Sequence, residues 1–88
     1  MQAEEDIRRL YRYGIQQFGQ AQADKYFDGL FHRFDQLAET PALYRSVDEI
    51  RKGYRRSIYG MHSIYYRVED DVVEIMRILG REDTSVLT

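Results

Sequence analysis

His62 has an ordinary pKa suited to proton transfer near neutrality, and it stands in a run of arginines. Arg55, Arg56 and Arg67 flank it, and Arg77 and Arg81 follow in the next segment. A histidine among guanidiniums can serve phosphate chemistry on RNA. A base takes the proton of a 2′-hydroxyl, a cation stabilises the phosphorane-like charge, and an acid protonates the leaving oxygen. The acid is the missing member. Thr84 and Ser85 are poor donors, and strand alternation puts Glu74 on the face opposite Arg77. The second histidine, His32, lies between Phe31 and Phe34 in a helical stretch and fits a structural or exposed role. The set is incomplete, so these residues are expected to dock a partner rather than to catalyse. His62 is then a hairpin residue whose polar atoms find hydrogen-bond partners.

Charge distribution marks the same region. Between Arg51 and Val68 there are five basic residues and no acidic one, although the 88-residue chain carries a net charge of −2. That overall balance argues against nucleic-acid binding by the whole molecule and leaves a local basic stripe. With no cysteine and two distant histidines, neither a disulfide framework nor a zinc site is expected. No Gly-rich phosphate loop is present, so no cofactor is expected. The acidic start Met1-Gln2-Ala3-Glu4-Glu5-Asp6 is unlike a secretory signal, and no apolar run approaches the ~20 residues of a bilayer span. The cytoplasm is the expected compartment. One domain is expected over 1–88, with little core to spare for an internal pocket.

These side chains need elements to position them. Ile7, Leu10, Tyr11, Ile15 and Phe18 share one helical face, which predicts a helix over about 3–18. Glu4, Glu5 and Asp6 favour the positive end of its dipole. Gly19 ends it. Ala23, Tyr26, Phe27, Leu30, Phe31, Phe34, Leu37 and Ala38 predict a second helix over about 20–38, stopped by Glu39-Thr40-Pro41. The short join makes the pair an antiparallel hairpin. Residues 42–53 carry no period and read as a loop. Strands are expected at about 54–59, 61–68 and 72–79, joined by a tight turn at Gly60 and a polar one at Glu69-Asp70-Asp71.

The expected architecture is α+β, a helical hairpin on one face of a three-stranded antiparallel sheet. Val72, Val73, Ile75, Met76, Ile78 and Leu79 make the last strand apolar on both faces. Its second face must be covered by the loop or tail, or by a partner. Arg77, embedded in that strand, needs a carboxylate or an open face, and Asp48 and Glu49 are the natural candidates.

In order along the chain, Ala3-Glu4-Glu5-Asp6-Ile7, Phe18-Gly19 and Leu37-Ala38-Glu39-Thr40-Pro41 resemble segments of the ParE toxins of the RelE/ParE superfamily. So do Asp48-Glu49-Ile50-Arg51-Lys52-Gly53-Tyr54-Arg55, Gly60-Met61-His62-Ser63-Ile64-Tyr65-Tyr66-Arg67 and Val73-Glu74-Ile75-Met76-Arg77-Ile78-Leu79. The ordered series is specific where each motif alone is weak. The resemblance implies a toxin of a plasmid-stabilising type II toxin–antitoxin module that inhibits DNA gyrase. Its implied partner is a ParD-like ribbon-helix-helix antitoxin whose flexible tail wraps the toxin. DNA would be met only through antitoxin or gyrase. Members usually open with a short strand before the first helix. Here only Met1 and Gln2 precede Ala3, so that strand is expected to be missing and a sheet edge left unpaired. Many relatives carry a histidine after the last strand where this chain has Gly80-Arg81-Glu82-Asp83, so that role does not transfer. Two alternatives stay open, a RelE-like ribosome-dependent mRNA endonuclease and a non-toxic interaction domain. The partner-binding candidates are Arg55, Arg56, His62, Arg67, Arg77 and Arg81.

Overall fold

The computed structural model describes residues 2–80 and Leu87. Two helices, α1 (Gln2–Phe18) and α2 (Gln20–Glu39), form the antiparallel hairpin. Gly19 joins them at φ 85 and ψ 162, a backbone region essentially confined to glycine. A short 3₁₀ turn, Pro41–Leu43, then leads into four strands: β1 (Arg45–Ser46), β2 (Arg55–Tyr59), β3 (His62–Glu69) and β4 (Val72–Gly80). The sheet is antiparallel in the order β1-β2-β3-β4.

The strand added to the expected three is β1, inside the stretch expected to be loop. Two residues are too few to show a period of two, and their strand character comes from pairing with β2. The Gly60-Met61 turn has Gly60 at φ 56, the positive-φ first position of a II′ hairpin. The next turn holds Asp70 at φ 53 and Asp71 at φ 62, both positive as a I′ turn requires.

The helices cover one sheet face. Phe27, Leu30 and Leu37 of α2 bury against Ile64, Tyr66 and Ile78, and Ile7, Leu10 and Tyr11 of α1 pack around them. The expected stripes are wider than the buried ones: Phe18 and Phe31 are exposed. Tyr66 also donates to the Pro41 carbonyl at 2.6 Å, pinning the 3₁₀ turn to β3.

The second face has its own smaller core of Val47, Tyr54, Tyr65, Leu79 and Leu87, with Ile50 and Met76 packed on it. The apolar pattern on both sides of β4 is thus answered from within the chain, by the 47–54 loop and Leu87. Arg51 tightens this cover by stacking over the Tyr54 ring and donating to the Leu87 carbonyl at 2.9 Å.

Candidate partner-docking site

The candidate residues divide by strand face. In β2, Ser57 is buried and Tyr59 packs on the helical core, so alternation turns Arg56 and Ile58 to the opposite face. Across the sheet Arg56 pairs with Arg45 on one side and Tyr65 on the other. Tyr65 belongs to the smaller core. Arg45, Arg56 and Ile58 therefore line the outer rim of that core.

Arg77 is elsewhere. The register between β3 and β4 slips at Tyr65/Tyr66, leaving Met76 as an extra residue. The bulge sets Arg77 opposite Tyr65 and Ile78 opposite Ile64, and the Arg77 side chain reaches Asp6 of α1. There Arg77 forms a two-pronged pair with Asp6, Nε to Oδ2 at 2.8 Å and Nη2 to Oδ1 at 3.1 Å. Asp6 also accepts the Ile78 backbone N–H at 2.9 Å and meets Arg9 at 3.1 Å. Burial raises the Asp6 carboxyl, but the hydrogen bonds from Arg77 and Ile78 and the charges of Arg77 and Arg9 outweigh it. The result is a pKa below the ordinary 3.8. The same pairing raises Arg77. Its carboxylate is Asp6, 71 positions away in sequence, and not the expected Asp48 or Glu49. Asp48 instead accepts the Gly53 N–H within its own turn, and Glu49 pairs with Arg45.

The acid-free stretch of sequence is not acid-free in space. Arg67 contacts Glu69 at 3.0 Å and Glu74 at 3.3 Å, and the hydrogen bond to Glu74 leads in raising its pKa. Arg55 donates to the Tyr44 carbonyl at 2.7 Å. His62 sits at the start of β3, where its Nδ1 lies 2.8 Å from the Tyr26 hydroxyl. That hydroxyl also donates to the Tyr59 carbonyl, while the Tyr59 hydroxyl donates back to the Tyr26 carbonyl at 2.7 Å. His62 thus belongs to a clasp between α2 and the β2–β3 hairpin. His32 is exposed. Arg81, Thr84 and Ser85 lie outside the described residues.

Two basic residues escaped the sequence argument. Arg33 of α2 reaches over β2, donating to the Ser57 hydroxyl at 2.8 Å and the Ile58 carbonyl at 2.9 Å, with its guanidinium near the Tyr44 and Tyr59 rings. It covers the β2 edge where β1 ends. Its signal was a cation among aromatic residues on the apolar side of a helix. Arg45 lay in a stretch without pattern, and only the β1–β2 register reveals it as the neighbour of Arg56.

The candidates among the described residues do not converge as a catalytic set would. Arg77 serves the α1–β4 seam, Arg67 is held by two carboxylates, and His62 joins the α2 clasp. Among the described residues, Arg56 stands beside Arg45 and the exposed Ile58 on the outer face, which suits contact with an acidic and apolar partner. No helix among the described residues is long and apolar enough to cross a membrane.

Residues 1–84 match the family model described as ParE toxin of type II toxin-antitoxin system, parDE. Toxin ParE1 of Mycobacterium tuberculosis is 32% identical over 78 residues, covering 88% of this chain and 80% of that protein. Toxin ParE1 of Caulobacter vibrioides is 35% identical over 77 residues, covering 88% and 79% respectively. This chain belongs to the ParE toxin family of type II toxin–antitoxin systems.

Proposed function

We propose that this protein arrests growth by inhibiting DNA gyrase, and so replication, until a ParD-like antitoxin neutralises it. It acts in the cytoplasm as a binder, with no catalysis and no cofactor. The family match over residues 1–84 carries this reading. The geometry supports the non-catalytic part of it: the side chains suited to proton transfer and charge stabilisation are spent on Tyr26, Asp6, Glu69 and Glu74. Of the described partner-binding candidates, Arg56 lies on the sheet face away from the helices beside Arg45, while Arg55 lies on the helix side and donates to the Tyr44 carbonyl.

Induced expression tests the proposal. Filamentous cells and a DNA-damage response with intact messenger RNA are expected. Cleavage of transcripts on ribosomes would overturn it in favour of a RelE-like endonuclease. Normal growth would leave an interaction domain without toxicity.

A further inference from the structure

Arg45 and Arg56 are direct cross-strand partners, so their side chains leave the same face of the sheet side by side. Like charges placed opposite each other in a ladder destabilise it. Glu49 offsets Arg45 at 3.1 Å, but that pair is more than half exposed on both sides and contributes little. Among the described residues no carboxylate is in ion-pair contact with Arg56. Two positions along the strand, and on the same face, Ile58 is 62% exposed. An unresolved cationic pair and an unburied β-branched residue thus share one short row.

We propose that Arg45, Arg56 and Ile58 form the clamp for an acidic segment of the antitoxin. One Asp or Glu of that segment bridges the two guanidiniums, and an apolar residue about two positions along it covers Ile58. The proposal rests on the toxin–antitoxin reading and adds the place and chemistry of the contact. Charge complementarity selects an acidic partner. Ile58 selects protein over nucleic acid, because a phosphate backbone would gain nothing from an aliphatic neighbour. The spacing matches an extended segment, whose alternate side chains fall about 7 Å apart on one side. A carboxylate there also relieves the like-charge cost, so binding and sheet pairing reinforce each other.

The test uses the whole chain, with the product of the reading frame adjoining its own as the probe. Affinity is measured for the parent, for the Arg45→Glu/Arg56→Glu double variant, for Ile58→Ser, and for an Arg8→Glu/Arg12→Glu control on α1. The double variant should bind at least about tenfold more weakly and lose part of the salt dependence. Ile58→Ser should weaken binding about threefold to tenfold with the salt dependence intact. The α1 control, with the same change in charge, should stay within about twofold of the parent. Circular dichroism on each variant separates lost contact from lost fold. Equal affinity of the folded double variant, or equal weakening by the α1 control, overturns the clamp while growth arrest by the parent leaves the toxin reading standing. Loss of toxicity in the double variant with antitoxin affinity unchanged would also overturn it, moving the surface to the toxin's target. Absence of growth arrest by the parent removes the toxin reading itself.

Discussion

The α1–β4 seam and the β1–β2 edge both present arginines from the sheet, and they treat them in opposite ways. At the seam, Arg77 meets a carboxylate 2% exposed that accepts from three donors. At the edge, Arg56 stands opposite a second arginine with an exposed isoleucine nearby. A charge in the first setting is part of the fold, because removing either partner leaves the other largely buried with its best partner gone. A charge in the second costs the fold a little and is available to a partner. Position in the register, rather than residue type, separates the structural cation from the functional one.

The strongest attempt to break this contrast is Asp6→Ala. It leaves the Arg77 guanidinium and the Ile78 N–H without their acceptor, and urea unfolding should show a loss of about 2–4 kcal/mol. Arg77 keeps 17% exposure, so water offsets part of the cost and the lower half of that range is favoured. Arg77→Ala should cost less than Asp6→Ala, since Arg9 and the Ile78 N–H still serve the carboxylate. The reverse order would show that the guanidinium's packing, not its pairing, holds the seam.

Acid sharpens the same point. Folding lowers the Asp6 pKa below 3.8, so the unfolded chain takes up the proton first as pH falls. The stability from this site is whole above the ordinary aspartate value. It drains away as pH drops through that value and is gone below the folded one. In Asp6→Asn this part of the acid dependence should vanish, which unfolding midpoints measured from pH 6 down to pH 2 would detect. An unchanged slope would place the acid sensitivity on other carboxylates.

Much of the fold was legible because local period suffices for it. The helices expected at 3–18 and 20–38 are found at Gln2–Phe18 and Gln20–Glu39, and each long strand lies within a residue or so of its expected span. The loop-and-tail cover of β4's second face was also available from its double-sided apolar pattern. The charge partners were not. Asp6 looked like a dipole-favouring acid of the first helical turn, and nothing in a sequence separation of 71 positions aims it at Arg77, just after a bulge in β4. Arg67 looked free of acids because neighbours were counted along the chain. Across the Asp70-Asp71 turn, Glu74 is its direct cross-strand partner. A candidate site made of charges depends on register, and register becomes visible once the strands are paired.

The clasp on the helix side of the β2–β3 hairpin offers an intermediate case. Tyr26→Phe removes the hydroxyl that donates to the Tyr59 carbonyl and meets His62 Nδ1. The ring contacts with Phe27 and Tyr59 remain. A loss of about 1–2 kcal/mol is expected in thermal or urea unfolding, because partly buried groups lose a partner that water only partly replaces. An effect below about 0.5 kcal/mol would mean that solvent already competes for these bonds. The β2–β3 hairpin would then be held to α2 by the Tyr59 hydroxyl and Arg33 instead.

The smallest expected effect is the most discriminating. Arg56→Glu converts a like-charge cross-strand pair into an opposite-charge one against Arg45. The fold should gain a few tenths of a kcal/mol, up to about 1. Glu49 already shares Arg45, which holds the gain toward the low end. A structural arginine cannot behave this way, since its replacement by an acid would cost stability wherever it was paired. The gain should shrink as salt is raised, because both side chains lie at the surface and are screened over about 10 Å at 0.1 M. Paired urea titrations at low and high salt resolve it, as the difference between two midpoints at a common slope is more secure than either extrapolated free energy. A loss of more than about 1 kcal/mol would show that Arg56 supports the smaller core through its aliphatic stem. A salt-sensitive gain would instead mean that the parent sequence keeps a residue its own fold disfavours, and the reason would then lie with whatever binds that face.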